Sequence, residues 1–219
     1  MPSIPLTSSP FTEHWVAWVM LMLGASLLAV CLLQPGMYVR ALHSLPTTKE
    51  RDSIFVGSGT SAGSRIILVG YNIMMLAMLL QWLLMTDGRA YSFVDMLELA
   101  GCSTAVLLVR MLMQQSVAYV FFARNETETL HRHYLYLGDC LMLFLYPVLL
   151  CALFTPLPHL MITVVLAVLA VLYLAMLIYK IAVLLPMSLY SILYLPLYII
   201  TVEVLPFAVL WETAKTIMK

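Results

Sequence analysis

The stretch HLMITVVLAVLAVLYLAMLIYKIAVLL, His159 to Leu185, holds one charged side chain, Lys180. A run this long and apolar is suited to crossing hydrocarbon, where a helix needs about 20 residues to span about 30 Å. Comparable runs recur along the chain. In lipid every backbone N–H and C=O must be bonded internally, so a spanning segment is a helix or a strand of a closed barrel. The runs are continuous and rich in Leu, Met and Ala, and do not alternate polar with apolar, which selects helices. Composition agrees. Hydrophobic residues make up 63% of the 219 and charged residues 10%, with mean hydropathy +0.99, leaving too few charges to cover a water-soluble surface. The fold class expected is all-α, a polytopic membrane protein built as a bundle of about six transmembrane helices.

Breakers place the spans near Trp15–Leu33, Ile66–Met85, Val94–Ala123, Tyr134–Phe154, His159–Leu185 and Leu189–Trp211. Gln34-Pro35-Gly36 ends the first. TDGR from Thr86 parts the second from the third, and the polar run RNETETLHRH from Arg124 parts the third from the fourth. TPLPH from Thr155 turns into the fifth, and Pro186-Met187-Ser188 separates the last two. The domain organisation expected is a polar tail over 1–14, one six-helix domain over 15–211 and a tail over 212–219. The 34–65 loop is able to hold an interfacial helix. MPSIPLTSSPFTEH carries no Lys or Arg ahead of the first apolar run, so that run reads as a retained helix and not a signal peptide.

Short-loop Lys and Arg mark the cytoplasmic side. Arg40, Lys49, Arg51, Arg65, Arg124, Arg132 and Lys180 fall on one side and outnumber Arg89, Lys215 and Lys219 on the other. Both termini are therefore expected outside, with Trp15, Trp18 and Trp211 as outer-interface anchors. Formal net charge is zero, and no polybasic tract points to nucleic acid. The partners expected are the bilayer and one or more membrane proteins.

Familiar chemistry finds no foothold. Cys31, Cys102, Cys140 and Cys151 lie inside apolar runs without a CxxC. VGSGTSAGSR, Val56 to Arg65, lacks the GK[ST] ending and the preceding strand of a phosphate loop; a polar loop with Ser61 or Ser64 capping helix two suffices. His131 and His133 are two apart and share no helix face. No histidine sits mid-span, so neither metal nor haem is expected, and no cofactor is implied.

Ionisable residues inside spans are costly and face protein or water. Asp95 and Glu98 lie near the outer end of helix three and Arg110 lies deep in it; Asp139, Lys180 and Glu203 lie in helices four, five and six. At about 1.5 Å per residue, Arg110 and Glu203 are each roughly 20 Å from the cytoplasmic side, and Asp139 and Lys180 sit at a shallower common depth of about 8 Å. Two intramembrane charge pairs are expected: Arg110 with Glu203, and Asp139 with Lys180. Ser103, Leu107, Arg110 and Gln114 form a polar stripe that must face protein. Glu98, Gly101, Cys102 and Ala105 form a small-residue stripe fit for close helix approach. Helix three is thus the expected hub. Pro147, Pro196 and Pro206 are expected kinks. Pro206 frees the carbonyl of Val202 beside Glu203. Tyr190, Tyr194 and Tyr198, four apart, read as packing.

The ending LPLYIITVEVLPFAVLWETAK resembles the closing stretch of a Bacteroidota inner-membrane family called domain of unknown function 4271. The resemblance rests on Leu197, Tyr198, Thr201, Glu203, Leu205 and Pro206, with Ile200 standing where a Cys is usual. It implies a bacterial cytoplasmic-membrane protein and no particular activity. Three functions are compatible with these residues. The first is a non-enzymatic accessory or scaffold subunit of an envelope complex for secretion or protein insertion. The second is a small transporter or proton-linked pathway using the Glu–Arg pair. The third is a lipid-modifying enzyme using Arg89, Asp95 and Glu98 at the outer interface.

Overall fold

The computed structural model describes residues 14–33, 62–85, 91–121, 124–155, 158–184 and 199–218; at 62, 117–121, 124–134, 136 and 180–184 the backbone alone is described. Every element formed by these residues is helical: α1 (His14–Leu33), α2 (Ala62–Leu84), α3 (Phe93–Phe121), α4 (Arg124–Phe154), α5 (His159–Leu184), a π-helical segment (Ile199–Val204) and α6 (Leu205–Ile217). The protein is all-α, and α1 to α5 are long and apolar enough to cross a membrane.

Four helices begin and end close to where the sequence places them, and two do not. α4 starts at Arg124, so RNETETLHRH is helix and not the expected loop. That run has no Gly or Pro, and Glu, Arg and Leu are good helix formers; polarity alone misreads it. The last helix also differs. Its described part opens as a π-helical segment and continues as α6 to Ile217, beyond the expected end at Trp211. Ser64 is buried inside α2 and so does not cap it. Ser61, Pro196, Tyr190, Tyr194 and Tyr198, the 34–61 loop and Arg89 lie outside the described residues.

The bundle is centred on α2. Half of its spanning window is buried, against 22% for α3 and 11% for α5. Four consecutive residues, Met75 to Met78, are buried, as a helix enclosed on all sides requires. α2 packs against α1, α3, α4 and α6, while α3 packs against α2, α4, α6 and the π-helical segment. The expected hub is therefore joined, and in burial exceeded, by α2, whose uniform apolarity gave no stripe to read. The small-residue stripe of α3 is not a packing face here: Glu98, Gly101 and Ala105 are exposed, and nothing lies within 4 Å of a Cβ built on Gly101.

Contacts fix which ends lie together. The Trp15 ring meets Phe93 edge-on at 5.6 Å, and Trp82 stacks on His159 at 4.4 Å. The start of α1, the end of α2, the start of α3 and the start of α5 thus share one end of the bundle. At that end Gln81, fully buried, donates to the Ser92 carbonyl at 3.0 Å and closes the α2–α3 hairpin. One glycine is set by a close approach: a Cβ on Gly24 would lie 2.5 Å from the Tyr146 hydroxyl, which donates to the Met20 carbonyl.

Candidate functional site

Arg110 lies on the buried face of α3 that also carries Ser103 and Gln114. Its Nη2 donates to both carboxylate oxygens of Glu203, at 2.9 Å to Oε1 and 2.7 Å to Oε2, and to the Tyr173 hydroxyl at 2.7 Å. Tyr173 in turn donates to Glu203 Oε2 at 3.4 Å. The guanidinium carbon sits 5.3 Å from the centroid of the Phe207 ring, within cation–π range. Three elements therefore converge: α3 gives the cation, α5 the phenol, and the π-helical segment with α6 gives the acid and the aromatic face. Glu203 is 2% exposed and the Arg110 side chain 13%.

The backbone under Glu203 follows from Pro206. Proline has no N–H, and its ring clashes with the carbonyl of the residue four earlier, Val202. The wider π turn ends at Val204, two residues before Pro206, which sits in the first turn of α6 where its missing donor costs least. Such turns move one side chain off the regular helical register and are frequent at functional sites. Here the displaced stretch includes Glu203.

Asp139 bonds across to α2. Its Oδ1 accepts a 2.8 Å bond from Asn72 Nδ2, joining α4 to α2. The charge of Arg65 also acts on it; Arg65 lies seven residues before Asn72, on the same face of α2. Tyr71, next to Asn72, donates to the Met142 carbonyl at 3.1 Å. The Lys180 side chain lies outside the described residues. Asp95 and Glu98 occupy the first turns of α3, half-buried and exposed respectively. The Asp95 N–H donates to Ser92 Oγ at 3.5 Å, with Ser92 in the N-cap position. An acid there suits the helix dipole.

Pro147 lies inside α4 and lines an open groove of about 260 Å³ with Val148, Cys151, Met161, Ile162 and Val165. That groove lies between α4 and α5, is wholly apolar, and touches neither Arg110 nor Glu203. Among the described residues no three His, Cys, Asp or Glu side chains gather as a metal site would need.

Sequence reasoning passed over Tyr173, Phe207 and Asn72. Tyr173 had a usable signal. It is 11 residues before the end of α5, and Arg110 is 11 before the end of α3 (184 − 173 and 121 − 110), about 16 Å in each case. Depth matching restricted to charges leaves such a tyrosine out.

A family model matches residues 17–214. The chain belongs to the family described as Domain of unknown function (DUF4271). No curated protein and no solved structure matches it. In this DUF4271 protein the matched segment takes in Asn72, Arg110, Asp139, Tyr173, Glu203, Pro206 and Phe207.

Proposed function

We propose that this DUF4271 protein is a non-enzymatic integral subunit of the bacterial cytoplasmic membrane, with both termini periplasmic, serving as an accessory or scaffold in an envelope complex for secretion or protein insertion. The observation that carries the reading is the closed Arg110–Glu203–Tyr173 joint. Its cation, acid and phenol bond one another and tie α3, α5 and α6 together, as a fixed framework element does. Lipid-exposed apolar faces on α1, α3 and α5 leave broad surface for neighbouring proteins. The Bacteroidota assignment comes from the resemblance of the C-terminal stretch. The test is isolation of the tagged full-length chain from native membranes in mild detergent. The expected result is another integral membrane protein at near-equal stoichiometry; a chain recovered alone and monodisperse contradicts it.

One observation favours a second reading, a proton-linked pathway. Glu203 stands on a π turn beside a proline, and a local break beside a buried acid is how membrane transporters build sites. Proton flux through proteoliposomes, and its loss in Glu203→Gln, tests it.

A further inference from the structure

Two buried side chains on the Arg110 face of α3 have polar atoms without a hydrogen-bond partner among the described residues: Ser103 Oγ and Gln114 Nε2. Ser103 is fully enclosed and Gln114 is 9% exposed. Left dry, each such atom bears a desolvation penalty that native proteins relieve with ordered water. Both lie in line with Arg110. Gln114 is four residues on and Ser103 seven back, which sets them about 6 Å and about 10 Å away along the helix axis. One hydrogen-bond step to water covers about 2.8 Å, so one bridging water spans the rise between Gln114 and Arg110 and about three span the rise between Ser103 and Arg110. Glu203 keeps hydrogen-bonding capacity to accept from one of them. A carboxylate offers about four acceptor positions, and Arg110 and Tyr173 engage it through three bonds.

We propose that this face of α3 is a water-lined proton relay centred on Glu203, with Gln114 as its station toward the α3 C-terminal end and Ser103 as its station toward the other. The inference rests on the proton-pathway reading and assigns its route. A proton passed from the water at Gln114 adds to Glu203 Oε1, and the Arg110 bond to that oxygen opens. The proton then leaves to the water at Ser103, the carboxylate reforms, and Arg110 closes on it again. Nothing is oxidised and no covalent bond other than O–H is exchanged. A metal cation is a poor occupant. It would lie against the Arg110 guanidinium, which is already 2.7 Å from the carboxylate, and hard cations want six or more oxygens. The other described charged side chains on α3 and α6 stand away from this line. Asp95 and Glu98 are in the first turns of α3, and Glu212 and Lys215 bond each other on an exposed stretch of α6.

The test is potential-driven proton uptake into vesicles holding the full-length chain, read with a pH dye. The variants are Glu203→Gln, Ser103→Ala, Gln114→Leu and Gln114→Glu. A monodisperse size-exclusion profile and wild-type helical circular dichroism at the assay temperature establish that each is folded. Wild type is expected to exceed empty vesicles, and Glu203→Gln to fall to their rate. Ser103→Ala and Gln114→Leu should each slow flux roughly tenfold, the factor matching the loss of about one hydrogen bond. Gln114→Glu, which still binds water, should restore most of it. Wild-type flux lost in Glu203→Gln but unchanged in both Ser103→Ala and Gln114→Leu overturns the route while leaving the pathway reading standing. Wild-type flux no faster than empty vesicles overturns both.

Discussion

At Glu203, Gln replacement keeps the shape and removes the charge, which leaves Arg110 buried beside a neutral amide. Breaking a buried pair from one side costs about 3–5 kcal/mol, whereas replacing both partners by apolar groups of similar size is often near neutral. Glu203→Gln and Arg110→Met are each expected to lower the detergent-solubilised unfolding midpoint sharply. Arg110→Met with Glu203→Leu should recover most of the loss; additive losses in the double variant would refute a direct joint. Tyr91 offers a pH handle at the same scale. It is buried in the α2–α3 hairpin, outside the spans, and burial pushes its phenol up to about 12 from an ordinary value of about 10. Its folded value is the raised one, so its contribution is complete below pH about 10 and is lost as pH climbs from there toward 12. The stability of wild type should therefore fall more steeply over that window than that of Tyr91→Phe, and equal slopes would count against the burial. The Arg110–Glu203 partnership was legible because charges in an apolar run stand out and their depths can be counted. Asn72 and Tyr173 were not, because an amide and a phenol are common in such runs and carry no obligation to pair.

Among the elements, the α1–α4 contact depends on one small residue. Gly24 leaves space for the Tyr146 hydroxyl, which bonds Met20. A Cβ there displaces a rigid ring end, and overpacking of this kind costs typically about 1–3 kcal/mol. Gly24→Val should lower the unfolding midpoint, and Tyr146→Phe should relieve part of the defect by removing the clashing oxygen. Loss of equal size in the two backgrounds would contradict the contact. Spans one to five were readable because twenty apolar residues between breakers leave little choice. The start of α4 was not, since a charged run with good helix propensity looks like a loop when polarity is the signal. The π turn was half visible. Pro206 announced a disturbed backbone, but whether the chain kinks or widens depends on what Glu203 must reach across the bundle.

Over the whole molecule, an enclosed α2 organises the packing, while α1, α3 and α5 present apolar faces outward. The proposed orientation rests on the Lys and Arg asymmetry of the loops, a sequence property. In a cysteine-free background, single cysteines at Ser3 and Thr216 should both react with a membrane-impermeant maleimide from the periplasmic side; protection of either until the membrane is broken would reverse that end. Counting charges matched Arg110 to Glu203 but said nothing of what surrounds the bundle, because lipid-facing and protein-facing apolar surfaces have the same composition. The proposed subunit role turns on that surface. It is tested most directly by mild-detergent isolation of the full-length chain from native membranes, with native mass spectrometry of the product. The expected result is an assembly containing a second integral membrane protein in fixed stoichiometry, retained by wild type and by the Arg110→Met, Glu203→Leu variant. A chain that emerges alone at every detergent level would contradict it.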